Sequence, residues 1–316
     1  MEQILPLLPE SFQQVIHHMP EEDRNNLEEI RCRTGRPLEL IVSGKVWKGF
    51  EEEMPIFHPD QARDMLQKIS RYSLYALEEE LRRGYVTIRG GHRIGLAGRV
   101  ITENGHVLRL RDVTFFNIRL AKQKVGAALP LVPYLFKKGR WLSSLIVGAP
   151  QTGKTTLIRD LARLVSEGMP DRFIQAQKTG IVDERSEIAG CVDGVPQNRL
   201  GSRTDVLDGC PKAEGMMMMI RSMSPDVLIV DEIGRKEDTE ALFEALNAGV
   251  AVIATAHGFT LEQLSQRPTL RPLLESRLFE RYIILSRLKK TEKSGSRLTV
   301  CDKLGRSMAS AQEIWQ

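Results

Sequence analysis

Apolar residues in the first part of the chain fall at mixed helical and strand spacings, and each stretch predicts its own element. Pro20 to Ile30 reads as a capped helix that leads, through the turn Thr34-Gly35-Arg36-Pro37, into a strand at Leu38 to Val42. Ala62, Met65, Leu66 and Ile69 share one helical face behind Pro59-Asp60, and Leu74, Leu77 and Leu81 predict a further helix. The period then shortens. Tyr85 to Arg119 reads as a β-meander broken at Gly90-Gly91 and at Asn104-Gly105, and Asn-Gly between strand-like runs is a strong hairpin signal. Arginines 89, 93, 99, 109, 111 and 119 recur along it, so that period-two alternation places several on one face. Taken singly each reads as a solvated side chain; as a group they are candidates for reaching phosphate.

After Ala121 the stretch containing Pro130 and Pro133 has no clean period, and its first half reads as a linker. This places an α+β domain at residues 1–127 and a second domain at 128–316. In the second domain strands are predicted at Leu145 to Val147, Phe173 to Val182, Val227 to Val230 and Val250 to Ala254. Between them Leu157, Leu161, Leu164 and Val165 mark one helix, and Met216 to Met219 with Ile220 and Met223 mark a core-facing one. Residues 188–212 predict a long loop, either functional or disordered. Tyr282 to Leu285 and Leu298 to Val300 predict a terminal hairpin around the polar turn Lys289 to Arg297.

Composition changes this picture little. A chain of 316 residues suits two domains, and 45 Lys and Arg against 41 Asp and Glu leave a formal net charge of +4, too small and too evenly spread to indicate nucleic acid. Cys32, Cys191, Cys210 and Cys301 show no metal-ligand spacing and fit reduced thiols. The start MEQILPLLPESF lacks the basic region of a cleavable signal, and no apolar run approaches the roughly 20 residues that span a bilayer, so a cytoplasmic protein is expected.

Candidate chemistry sits at the ends of the continuous apolar runs. Leu142 to Leu157 reads LSSLIVGAPQTGKTTL, a strand, a glycine-rich turn and a helix, with Gly148, Gly153, Lys154 and Thr155 filling the P-loop pattern. Phosphate would lie against Gly148, Ala149, Pro150, Gln151, Thr152, Gly153, Lys154, Thr155 and Thr156, at a helix N-terminus. The second run, VLIVDEIG, ends in Asp231 and Glu232, a Walker B pattern. There Asp231, with the Thr155 hydroxyl, would hold Mg²⁺, and Glu232 would orient or deprotonate a water. His257 closes the Val250 run, where a polar side chain can report the γ-phosphate. Asp183 and Glu184 at another strand end either face the same nucleotide or form a polar junction. Arg93, Arg185 and Arg203 are candidates for an arginine that completes the site from either subunit, and Arg199 is a further one. No N-K-x-D occurs, which favours ATP over GTP.

These segments resemble the AAA-type ATPases of bacterial secretion and pilus systems. GAPQTGKTT, IRSMSPDVLIVDEIGR and TAHG carry the likeness, DERSE is similar to the acidic box of that group, and the meander ending in NIRLA is more weakly similar to its N-terminal sheet. The resemblance implies an α/β fold with a RecA-like, mostly parallel P-loop core behind a smaller α+β domain, hydrolysis of ATP with Mg²⁺, Glu184 and His257 in the catalytic set beside Lys154 and Glu232, and a homo-oligomer, by resemblance a hexamer. More narrowly, GVPQNRLG and SRTDVLDGCPKAEGMMMMIRSMSPDV resemble a family of endospore-forming bacteria. That implies work on the mother-cell side, with other proteins of a sporulation channel, at the membranes around the forespore. A nucleic-acid-dependent motor is the alternative, opposed by an aromatic content of 6% and by the lack of an aromatic-interleaved basic patch. A non-hydrolysing nucleotide switch is a third reading.

Overall fold

The computed structural model describes residues 1–49, 54–70, 84–103, 105–287 and 296–311. It forms two compact units, residues 1–122 and 123–316. The division falls ahead of Ala128, and the amides of Gly126 and Ala128 donate to the buried carboxylate of Asp160, deep in the second unit.

The first unit is a six-stranded antiparallel sheet. Its strands are β1 (Leu27–Arg33), β2 (Glu39–Val42), β3 (Lys45–Val46), β4 (Tyr85–Ile88), β5 (His92–Glu103) and β6 (His106–Arg119), in the order β3-β2-β1-β6-β5-β4. Helices α1 (Glu10–His18) and α3 (Pro59–Ile69) bury Phe12, Ile16, Met65 and Ile69 in the same core as Ile30, Leu40 and Phe116, with Phe57 tilted against Phe12 and edge-to-face with Phe116 at centroid distances of 5.7 and 5.9 Å. Trp47 is nearly buried beside this core and its indole N–H donates to Asp23 at 2.8 Å. The meander has the expected strands. Pro20 to Ile30 does not form one helix: α2 (Glu21–Asn25) is a single turn, after which the chain extends into β1. Leu27, Ile30 and Cys32 turn inward while Glu29, Arg31 and Arg33 stay at the surface, and Arg33 forms a two-pronged ion pair with Glu39 on the neighbouring strand. The helix expected around Leu74, Leu77 and Leu81, Asn104 of the Asn-Gly turn, and most of the polar turn 289–297 lie outside the described residues.

The second unit opens with the short helix α4 (Val132–Leu135) and the small hairpin of β7 (Phe136–Lys137) and β8 (Arg140–Trp141). Trp141 is fully buried, 5.4 Å from Phe136. An eight-stranded sheet follows, in the order β11-β10-β12-β13-β9-β14-β15-β16. Its six parallel strands are β9 (Ser144–Gly148), β10 (Thr179–Asp183), β11 (Thr204–Asp208), β12 (Val227–Val230), β13 (Ala251–His257) and β14 (Arg281–Arg287); β15 (Ser296–Asp302) and β16 (Ser307–Ala311) add antiparallel to the edge. Alternate residues of the central strands supply two cores. Ile146, Ile181, Ile229, Ile253 and Ile283 face α5 (Lys154–Glu167), whose Leu157, Ile158, Leu161 and Val165 are buried against them. Leu145, Val147, Val182, Leu228, Val230 and Val252 face α6 (Lys212–Met223) and α7 (Lys236–Asn247) on the other side. The methionine run is only half core-facing: Met216 and Met219 are buried, whereas Met218 and Met223 are 53% and 48% exposed. The expected loop 188–212 contains β11, a half-exposed edge strand without an apolar run, and the expected two-stranded terminal hairpin gains β16 as a third strand. Among the described residues no helix is long and apolar enough to cross a membrane.

Candidate active site

All six parallel strands end on one edge of the sheet, and that edge collects the charged residues of the second unit. β9 delivers the glycine turn. Gly153 has φ +92° and takes the N-cap position of α5, a backbone shape that a side chain resists, and a Cβ at Gly148 would lie 2.5 Å from the Thr152 hydroxyl. That hydroxyl in turn donates to the Ala149 carbonyl at 2.8 Å. No side chain caps α5 and no acidic residue occupies its first turn. The amides there face outward as a ready anion site. Lys154 curls back over the turn, its Nζ donating to the carbonyls of Gly148 and Ala149 at 2.8 and 2.9 Å. Burial lowers its pKa, and the charges of Glu232, Asp231 and Glu187 oppose that shift. The lysine therefore sits within the field of both Walker B carboxylates.

β12 is buried along its whole length, so its first polar residues emerge together at its end. The fully buried Thr255 of β13 holds both of them. Its hydroxyl donates to Asp231 Oδ1 at 2.6 Å and accepts the backbone N–H of Glu232 at 2.7 Å. Asp231 Oδ2 takes no hydrogen bond from the described residues. Glu232 stands at φ +46°, an uncommon shape for a residue with a side chain, and its carboxylate lies 3.4 Å from Arg185 Nη1. The Thr155 hydroxyl and the Asp231 carboxylate are hard-oxygen donors, the ligand chemistry that suits Mg²⁺. Mg²⁺ bound together with phosphates needs only one or two carboxylates, and among the described residues no group of three or more His, Cys, Asp or Glu side chains is placed to hold a metal ion by itself.

The acidic turn after β10 is anchored from three sides. Asp183 is buried and accepts the amides of Glu187, Ile188 and Ala189 at 2.9, 2.9 and 2.8 Å. Desolvation pushes its pKa up to about 6; the backbone hydrogen bonds oppose the shift, and the charges of Asp208 and Asp231 add to it. Arg159, a nearly buried residue of α5, donates to the carbonyls of Ile188 and Glu187 at 2.8 and 2.6 Å. The same turn is thus tied to the phosphate-loop helix. Glu184 does not point at open space: it pairs with Lys212 at 2.5 Å, with Arg235 3.9 Å away. Burial disfavours its charge, but the Lys212 hydrogen bond and the nearby cations win and hold its pKa below the usual range. Nothing in the sequence flags Arg159 or Lys212, since basic residues inside helical patterns read as solvated.

The remaining candidates separate. His257 pairs in register with Gly148 across β13 and β9, its ring 6.2 Å from that of Phe259. Arg185 belongs to the site through Glu232. Arg203 precedes β11 at the opposite, amino-terminal edge of the sheet, where its guanidinium donates to the Ala176 carbonyl. It therefore lies at the end of the sheet away from Lys154, Asp231 and Glu232. Arg199 donates its amide to Gln123. Arg93 lies in the first unit with its guanidinium 3.5 Å over the Tyr85 ring.

With this geometry in place, the family model for sporulation stage III, protein AA matches residues 1–308. The chain belongs to that family. It is 57% identical over 290 residues to the stage III sporulation protein AA of Bacillus subtilis (strain 168), covering 92% of each chain. Outside the stage III family, the structure of the Legionella pneumophila ATPase DotB superposes with a TM-score of 0.59 at 15% identity, covering 93% of this chain and 82% of that one. The pilus retraction motor PilT, solved with bound ADP, gives 0.60 at 15% identity over 90% and 81% of the two chains. At such identities the likeness establishes a shared fold, that of P-loop secretion ATPases, for this member of the stage III family.

Proposed function

We propose that this stage III sporulation protein is an ATP-hydrolysing motor. The supporting observation is the convergence at one sheet edge of an uncapped helix N-terminus, Lys154, and the Asp231-Glu232 pair fixed by Thr255. Residues 148–156 cradle the triphosphate, with Lys154 leaving the loop carbonyls for the β/γ oxygens. Thr155 and Asp231 would hold Mg²⁺, which would neutralise charge on the phosphate oxygens. Glu232 orients the attacking water or accepts its proton. Glu184, ion-paired with Lys212, tunes the charge of the acidic turn, and His257 stands beside Gly148 to sense phosphate. The working form is a ring of copies, and an arginine from a neighbouring copy completes the site. In the sporulating cell the work is delivered on the mother-cell side to a channel apparatus at the forespore membrane.

Phosphate-release assays on three proteins test the enzymatic core of this reading. Lys154→Ala loses turnover by about a thousandfold, ~4 kcal/mol of barrier, while its circular dichroism stays that of wild type. Glu232→Gln keeps nucleotide affinity and releases no phosphate. Wild-type turnover by Lys154→Ala overturns the assignment.

A further inference from the structure

On the face of the sheet opposite α5, α6 and α7 pack side by side and leave an open groove of about 810 Å³ between them. Its floor is apolar, made by Ala213, Met217 and Ala241, with Met218 standing 53% exposed at its side. Its rim is acidic: Glu214 on α6 and Glu237, Glu240 and Glu244 on α7, against Arg221 alone of basic residues lining it. Glu240 is paired with Lys236, but Glu214, Glu237 and Glu244 have no ion pair among the described residues. Lining positions run from 213 to 222 on α6, about 14 Å of helix at 1.5 Å per residue, so the trough is as long as two to three turns of a third helix. A ridge of side chains at i, i+3, i+4 and i+7 fits a trough between two such helices. Exposed methionine suits the floor, because its unbranched side chain adapts to an incoming apolar face.

We propose that this groove docks a basic amphipathic helix of another protein, its apolar stripe on the methionines and its Lys or Arg flanks against the glutamates. Charge complementarity selects that occupant, since an acidic or neutral helix would leave three carboxylates uncompensated beside it. Within this chain the long described helices do not qualify: α1 carries no Lys or Arg, and α3 has its Arg63 and Lys68 paired with Asp60 and Asp64. Its two helices pack on β10 and β13, the strands on either side of β12, which ends just before Asp231 and Glu232, and α7 begins four residues after Glu232. An occupant therefore grips the elements that carry the Walker B pair without touching the phosphate loop.

The test uses the full chain and a dye-labelled helical peptide of leucine and lysine, about 14 residues long, in fluorescence anisotropy titrations. Its partner probe has glutamate at every lysine. Wild type binds the lysine peptide with an affinity that falls with added salt, and Glu240→Lys with Glu244→Lys weakens it tenfold or more. Met218→Gln, an uncharged change at an exposed position that leaves the fold intact, weakens it likewise by removing apolar contact. Equal affinity for the glutamate peptide, or unchanged affinity in both variants, overturns the proposal. A fall in oligomeric mass of the Glu240→Lys, Glu244→Lys protein in light scattering also overturns it, assigning the groove to a second copy of this chain. Phosphate release by these variants without peptide matches wild type, which separates failure of the groove from failure of the active site.

Discussion

The antiparallel sheet of the N-terminal unit keeps its charges in water along one face, whereas the parallel sheet of the second unit drives them to the strand ends. In β1 the inward residues alternate with Glu29, Arg31 and Arg33, and the last of these pairs with Glu39 where both side chains are about one-third exposed. In β9, β10 and β12 every residue is buried, so no side chain along the strand can be charged without a partner until Asp183 and Asp231 at the carboxyl ends. A charge on β1 is consequently a solvated feature of the strand, and one at the end of β10 or β12 is a structural joint. The same contrast separates a surface ion pair, worth at most about 1 kcal/mol, from a buried one, whose disruption costs several.

The sharpest way to break that contrast is Asp160→Ala. It strands the amides of Gly126 and Ala128 and leaves the nearly buried Arg163 guanidinium with Glu167 as its remaining carboxylate, and we expect a loss of about 3–5 kcal/mol in urea unfolding. Next comes Asp183. Its folded pKa near 6 lies above the ordinary 3.8, so the protonated acid is favoured by folding. Its contribution is fully present below pH 4 and is lost as the pH rises through 6, at most about 3 kcal/mol. Asp183→Asn should flatten the stability slope between pH 4 and 6 relative to wild type, a comparison independent of the variant's absolute stability. Thr255→Val removes one hydroxyl and keeps the shape; kcat for ATP should fall ten- to a hundredfold, about 1.4–2.7 kcal/mol, with KM little changed. Thr255→Ser should restore most of it. The smallest effect belongs to the first unit, where Glu39→Ala should shift stability by less than about 1 kcal/mol; a loss as large as that of Asp160→Ala would erase the distinction between the two sheets.

What could be read from the chain follows the same division. The phosphate loop and VLIVDEIG were legible because their chemistry demands fixed residue types at fixed spacing, with a strand before each. The meander was legible through its turns. β1 was not, because its surface charges at Glu28, Glu29 and Arg31 mimic the polar face of a helix and its inward set is only Leu27, Ile30 and Cys32. β11 has the pattern TDVLD and pairs on one side only, so it carries no apolar run to announce it. Arg159, Lys212 and Thr255 act through partners distant in sequence, and such pairings exist only once the sheet has aligned its strand ends.

The two described tryptophans lie one in each unit, Trp47 hydrogen-bonded to Asp23 and Trp141 sealed against Phe136. Each unit thus carries its own built-in optical reporter. With Trp315 replaced by Phe, variants retaining a single indole would emit from one unit at a time, and their denaturation midpoints would tell whether the halves melt together or in sequence.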